Sequence, residues 1–219
     1  MPPHPSAPMQ HAVVKSSRVD VGIGTGISAE GFQSAGCRVL GVEVDGRMAE
    51  FARSQGFEVE IAKFEDWDPA GRRFDIVIAG QTWHWIDPVA GATKAAQVLR
   101  PGGRLAALWN TFQFPPDLAE SLALVYARIL SDTPFSQGMF AGPDAYAPIF
   151  DKTSDGIRRA GRFSEPERWR TDRQQTCTRD QWLSSSPPLA GSTNCPKTSS
   201  MCYLGAKVLS STLLETASR

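Results

Sequence analysis

The stretch Val19-Asp20-Val21-Gly22-Ile23-Gly24-Thr25-Gly26-Ile27-Ser28-Ala29 decides how this chain is read. A short apolar strand around Val19 to Val21 runs into glycines at every second position, and a helical stretch follows that Gly36 closes as a C-terminal cap. Glycines at such a junction permit positive φ and let a ligand come close to the main chain without a Cβ in the way. The amides that open the next helix, with its dipole, favour an anionic group there. Taken alone, the loop also fits a tight turn that binds nothing.

Outward from the loop the pattern repeats. Arg38 to Glu43 is an apolar, bounded run of the kind that makes a buried parallel strand. Arg47 to Gln55 places Met48, Phe51 and Ala52 on one helical face, and Gly56 ends it. Phe57 to Ile61 alternates with period two, and Phe74 to Ala79 is more continuously apolar. Pro88 stands at the start of a helix whose buried stripe is Ala92, Ala95, Ala96 and Leu99. Arg100-Pro101-Gly102-Gly103 breaks that helix and turns into a strand over Arg104 to Trp109. Strands alternating with helices of this length predict an α/β fold with a mostly parallel sheet and right-handed crossovers.

Beyond Asn110 the rhythm changes. A Pro-led amphipathic helix (Leu118, Leu122, Val125, Tyr126, Ile129) forms a helical insertion after the fifth strand, with Tyr126 facing the core and Arg128 exposed. Arg168 to Cys177 reads as extended, and Thr178 to Trp182 as a helix start. The organisation expected is a flexible leader at 1–12, a domain at 13–182 (a cofactor half at 18–110, a variable region at 111–182) and a Ser/Thr-rich tail at 183–219 with a final strand at 208–214.

Composition narrows the function classes. With 23 basic and 23 acidic residues in 219, the net charge is zero, which argues against non-specific nucleic-acid binding. The Arg cluster between Ile157 and Arg179 is interleaved with acids and reads as a solvated face. Cys37, Cys177, Cys195 and Cys202 show no CxxC spacing, and two of the three histidines sit in the Pro-rich start, so no metal site is expected. Neither a membrane span nor a secretory signal is visible, which makes a reducing cytoplasm the expected compartment.

Glu43 adds a second element. It ends the second strand about 20 residues past the loop, where a carboxylate can accept hydrogen bonds from both hydroxyls of a ribose; it also fits as an acid ahead of the Arg47 helix. Gly24-Thr25-Gly26-Ile27-Ser28-Ala29 satisfies the G-x-G-x-x-A pattern of a dinucleotide site. Counted from Gly22, however, Ile27 takes the third glycine's place, where a side chain that large would hold the helix off the strand.

Together, Asp20 to Gly26, Gly41 to Met48, Phe74 to Val77 and Val98 to Leu105 resemble the class I S-adenosylmethionine-dependent methyltransferases, in order and spacing, over about residues 18–110. His84-Trp85 is similar to the small-molecule branch that includes trans-aconitate methyltransferase-like proteins. The resemblance implies a Rossmann-like, doubly wound sheet with helices on both faces, S-adenosylmethionine as cofactor, and a small-molecule acceptor, guessed as a carboxylate or hydroxyl. It also implies roles. Asp20, Gly22, Gly24, Thr25 and Gly26 would hold the methionine part, and Glu43 the ribose. Val44 and Met48 would flank the adenine, Phe64 and Glu65 would meet its edge, and Ala79 and Gln81 would approach the reacting methyl. The Leu99 to Gly103 turn is structural.

Some positions depart from that pattern. Lys15-Ser16-Ser17-Arg18 is a polar lead into the first strand, Ile23 stands where a small residue is usual, and Lys63 where an Asp or Asn often meets the adenine amine. These departures, with the tail, also fit a truncated, non-catalytic relative; an NAD-linked oxidoreductase is the third candidate. His84 is the one histidine of the patterned region and the candidate general base, although Trp83-His84-Trp85 fits equally a packed aromatic segment. Ser28 and Ser34 have no His/Asp partner at motif spacing, which argues against serine-hydrolase chemistry.

Overall fold

The computed structural model describes residues 16–129, 143–175 and 207–218. The leader at 1–12, the helix start at 178–182, most of the Ser/Thr-rich tail, and Cys177, Cys195 and Cys202 lie outside the described residues, as do the side chains of Tyr126 and Arg128.

Strands β1 (Ser17–Val21), β2 (Arg38–Glu43), β3 (Glu58–Ile61), β4 (Phe74–Gly80), β5 (Leu99–Gln113), β6 (Glu167–Gln175) and β7 (Lys207–Ala217) form one sheet, ordered β3-β2-β1-β4-β5-β7-β6. The first five pair in parallel, with Val19 opposite Leu40 on one side and Val77 on the other. Helices α1 (Ile27–Ser34), α2 (Gly46–Ser54) and α3 (Pro88–Val98) make crossovers between them. The chain winds outward from β1 to β3, then returns to place β4 on β1's other side. Right-handed crossovers run in opposite directions therefore put helices on both faces. This is the Rossmann-like α/β sheet expected, with its switch point between β1 and β4.

Contacts divide the chain into two compact units: Met1–Trp109 with Pro148–Trp169 and Thr212–Arg219, and Asn110–Ala147 with Arg170–Ser211. In the second, Thr111 and Phe114 are buried, and α4 (Pro116–Ile129) opens with the Ala119 amide donating to the Pro115 carbonyl at 2.9 Å. In the first, α5 (Ala147–Ala160) carries Gly156, where a Cβ would lie 2.3 Å from that of Pro88. Any larger residue there would push α5 off the start of α3.

Three local features explain how an unpromising sequence makes this sheet. The polar lead into β1 is absorbed because Arg18 is only 2% exposed, with its guanidinium 4.3 Å from the centre of the Phe32 ring. Ile23, large for its position, is accommodated by Gly41 on β2, where a Cβ would meet the Ile23 side chain at 2.6 Å. Ile23 then packs with Ala29, Ala49, Ala52, Phe57 and Val59 under α1 and α2. Finally, β5 starts earlier than the sequence suggests. Leu99 already pairs with Phe74, and Arg100 to Gly103 form an irregularity inside the strand, with Gly102 at φ +76°. Arg100 bridges from it to Asp75 at 2.6 Å and to Ser17 at 2.8 Å, which supports the structural role assigned to that turn.

Candidate functional site

At the C-terminal ends of β1, β2, β3 and β4 lies a crevice of about 460 Å³, entirely within the first unit. That size is within the usual range for a small-molecule or cofactor pocket. It is lined by Val21 and Gly22 from β1, Val42 to Val44 from β2, Ala62 to Glu65 after β3, and Gln81, Thr82, Trp85 and Ile86 after β4. Of the residues singled out from sequence, Gly22, Glu43, Val44, Phe64, Glu65 and Gln81 meet there. Asp20, Gly24, Thr25, Gly26, Met48, Ala79 and His84 do not line it.

The glycine loop works differently from the expectation. Gly22, Gly24 and Gly26 all have positive φ, at 65°, 57° and 91°. Their amides are not open to a ligand. Gly22 donates to the Val42 carbonyl at 2.7 Å, Gly24 to Glu43 Oε2 at 2.8 Å, and Gly26 to the Ile23 carbonyl at 2.9 Å. What the glycines supply is room. A Cβ on Gly22 would fall 2.2 Å from Thr82 Cγ2, and one on Gly26 2.4 Å from the Phe57 ring; at Gly24 only one backbone oxygen lies near, at 3.9 Å. The loop is thus a fold-determined bend whose glycine N–H groups are spent inside the protein.

Glu43 is the hinge of the site. Its carboxylate is 8% exposed and borders the crevice. Oε1 accepts from the Val44 and Asp45 amides at 2.8 and 3.0 Å, and Oε2 from Gly24. A carboxylate offers about four lone-pair directions, so one, on Oε2, is left for a ligand hydroxyl rather than the two assumed for both ribose oxygens. The competing role, capping α2, belongs to Asp45, whose Oδ1 accepts from the Arg47 amide at 2.9 Å.

Asp20 sits behind the loop, with Oδ2 accepting from the Ser28 hydroxyl at 2.7 Å and buried Oδ1 unpartnered. Burial pushes this carboxyl up to about 7, the Ser28 hydrogen bond opposing and the nearby Glu43 charge adding to the rise. Ser28 therefore has an acidic partner that motif spacing did not reveal, without a histidine beside it. Ile27 is 81% exposed, so its size does not hold α1 off the sheet and cannot decide against a dinucleotide.

His84 falls in the one-turn helix Trp83–Trp85. Its Nδ1 accepts from Trp109 Nε1 at 3.3 Å, its ring lies 4.9 Å from that of Trp85, and burial holds its pKa below the ordinary imidazole value. The proton-accepting nitrogen is engaged and the residue is not at the crevice, which is the geometry of the packed aromatic segment. Trp83 is buried, whereas Trp85 is 71% exposed and borders the crevice. Met48 stays on the outside of α2, 44% exposed, and Ala79 is fully buried within β4. The sequence reading assigned no crevice role to Val21, Val42, Ala62, Thr82 and Ile86; position just past a parallel strand's C-terminal end is the signal that finds them. Among the described residues there is no His/Cys/Asp/Glu cluster that could hold a metal ion, and no helix long and apolar enough to cross a membrane.

Residues 19–107 match the family model described as a methyltransferase domain. An uncharacterised methyltransferase of Mycobacterium tuberculosis is 33% identical over 95 residues, covering 42% of this chain and 39% of the relative. The ubiquinone biosynthesis O-methyltransferase of Cereibacter sphaeroides is 28% identical over 163 residues, 69% of this chain and 65% of the relative. The chain thus spans about two fifths of the length of the mycobacterial relative. Among solved structures, the YcgJ protein of Bacillus subtilis superposes with a TM-score of 0.55 at 16% identity, over 96% of both chains. At that identity the likeness shows the shared fold alone. Residues 19–107 are therefore similar to a methyltransferase domain, a family whose cofactor is S-adenosylmethionine.

Proposed function

We propose that this chain is an S-adenosylmethionine-dependent methyltransferase acting on a small-molecule acceptor, a hydroxyl or carboxylate compound. The observation that carries the proposal is Glu43, a carboxylate at the switch-point crevice with one acceptor direction left on Oε2. The residues present suit such a cofactor. Glu43 would accept from a ribose hydroxyl, and Gly24 leaves space beside it.

When bound, the cofactor supplies a methyl group on a sulfonium, an already activated leaving group. The protein's own contribution is then mostly alignment and desolvation. Thr82, Trp85 and Ile86 form the wall of the crevice after β4, which would shield a bound ligand from water, and Gln81 also lines it. Gln81 is held at φ +57°, with its amide donating to the Leu108 carbonyl at 2.8 Å. A non-glycine residue in the left-handed region is uncommon; Ala70, at φ +49°, is the other among the described residues. An acceptor carboxylate requires no base, which suits a crevice from which His84 is absent. The Cereibacter relative, an O-methyltransferase by name, supports an oxygen acceptor.

The proposal is tested by thermal melting with S-adenosylhomocysteine or NAD. S-Adenosylhomocysteine at about 100 times its Kd should stabilise the fold by about 2.7 kcal/mol, with NAD without effect at equal concentration. Stabilisation by NAD alone would overturn it.

A further inference from the structure

We infer that Trp109 locks His84 into the Nε2–H tautomer and that this N–H receives an oxygen of the methyl acceptor, so that the acceptor group read is a carboxylate. The inference rests on the proposed methyl transfer and adds a choice between the two acceptor groups named there.

Position comes first. β4 ends at Gly80, paired with Leu108, so Trp109 stands one residue beyond that pairing on β5. His84 follows β4 and meets Trp109 there, at the C-terminal edge of the sheet. The crevice is lined from β1, β2 and the segments after β3 and β4, with no residue from β5. A nucleoside held at Glu43 lies on the β2 side, and displacement at its methyl requires the nucleophile in line, from the side opposite the leaving group. The flank left for an acceptor is that of β4 and β5, where His84 stands next in the chain to the crevice residue Trp85.

The lock is built from buried parts. Trp109 is 1% exposed, its ring lies 5.3 Å from that of Phe150, and its N–H donates to His84 Nδ1 at 3.3 Å. A buried indole N–H requires an acceptor. Nδ1 is thereby kept bare, and the single proton of the neutral ring stays on Nε2. Burial lowers the His84 pKa, with no charged side chain among the described residues opposing it, so the neutral ring persists at neutral pH. Nε2 donates to no described residue, yet it is not one of the buried polar atoms without a partner, so it opens to solvent.

Such a ring has one polarity. It offers a donor but cannot take a proton, because its lone pair is already used by Trp109. A hydroxyl acceptor must lose a proton during transfer, whereas a carboxylate has none to lose. A hydrogen bond to an ionised oxygen is also roughly twice as strong as one to a neutral oxygen. One carboxylate oxygen rests on Nε2–H. The other forms the new O–CH₃ bond as the S–CH₃ bond breaks, with the electron pair left on sulfur and no proton moved.

The test uses the full chain with S-adenosylhomocysteine bound. Nitrogen NMR of the imidazole should show His84 protonated at Nε2 and bare at Nδ1, and Trp109→Phe should release it to mixed tautomers. A ring protonated at Nδ1 overturns the inference. Benzoate should move the Nε2–H signal saturably, while benzyl alcohol, the same ring with a hydroxyl, should leave it in place. His84→Phe should weaken benzoate binding at least about tenfold. His84→Gln, whose amide NH₂ again offers a donor, should restore most of that loss, which a misfolded variant could not do. Equal losses in the two variants, or an Nε2–H signal that benzoate leaves unmoved up to about 0.1 M, overturn the carboxylate reading alone. Protein that does not bind S-adenosylhomocysteine overturns the proposed function with it.

Discussion

The two walls of the crevice are made by opposite means. On the β1–β2 side the surface is set by the main chain: Gly22 borders the crevice with Glu43, and the loop behind, bent by three glycines, is tied to the interior by their amides and by Glu43. On the side formed by residues 62–65 and 81–86 it is side chain, with Phe64 and Trp83 buried as anchors and Lys63, Gln81 and Trp85 exposed. A backbone wall is specified by the few residues able to adopt it. A side-chain wall tolerates replacement and can carry specificity. The first should fail all at once, the second by degrees.

The largest effect is expected at Gly22. Gly22→Ala combines a left-handed backbone with a Cβ 2.2 Å from Thr82, which is itself packed under the loop. Strain and overpacking together should cost about 3–5 kcal/mol. Gly36→Ala, at φ +83° with nothing within 4 Å of the added methyl, should cost only about 1 kcal/mol. Urea unfolding of the two variants measures the contrast directly; equal losses would show that the loop's packing is immaterial.

Next comes Asp20. Its folded carboxyl titrates near 7 against 3.8 for the free side chain, because burial disfavours the charged form. Between those values the native state keeps a proton that the unfolded chain has released. Stability should therefore fall as pH rises from about 4 to about 7, by a few kcal/mol, and level off above. Unfolding curves at pH 5 and pH 8 check the sign, and Asp20→Asn should remove this part of the slope.

On the side-chain wall the effects shrink. Trp109→Phe deletes the donor to His84 Nδ1 and should cost about 1 kcal/mol of stability. Trp85→Ala should leave the melting temperature within a degree or two, since an exposed surface residue contributes about 0.5 kcal/mol or less. The same variant should bind S-adenosylhomocysteine a few-fold more weakly, measured by titration.

This contrast also governs what the sequence makes legible. The β1–α1–β2 half is readable because glycine at 22, 24 and 26, and an acid at the end of the next strand, are each demanded by backbone geometry. The alternation of apolar runs likewise reports β4 and α3, where Asp87 and Pro88 mark the helix start. Other features depend on partners distant in sequence. Arg18 looks wrong for a buried strand until Phe32 is folded over it, and Ile23 looks too large until Gly41 clears its place. The inward turn of the Gly24 amide is not readable, because it depends on the Glu43 carboxylate reaching it. Nor can spacing alone place His84 against Trp109, 25 residues away on β5.

The central claim is that Glu43 joins the two functions of the site, holding the glycine loop and accepting a ligand hydroxyl. It is tested most directly by titrating S-adenosylhomocysteine into wild-type protein and Glu43→Ala. The wild type should bind well below 1 mM, the concentration at which binding is worth only about −4 kcal/mol. The variant should bind at least about tenfold more weakly, a loss of about 1.4 kcal/mol or more. Equal affinity in the two proteins would contradict the account.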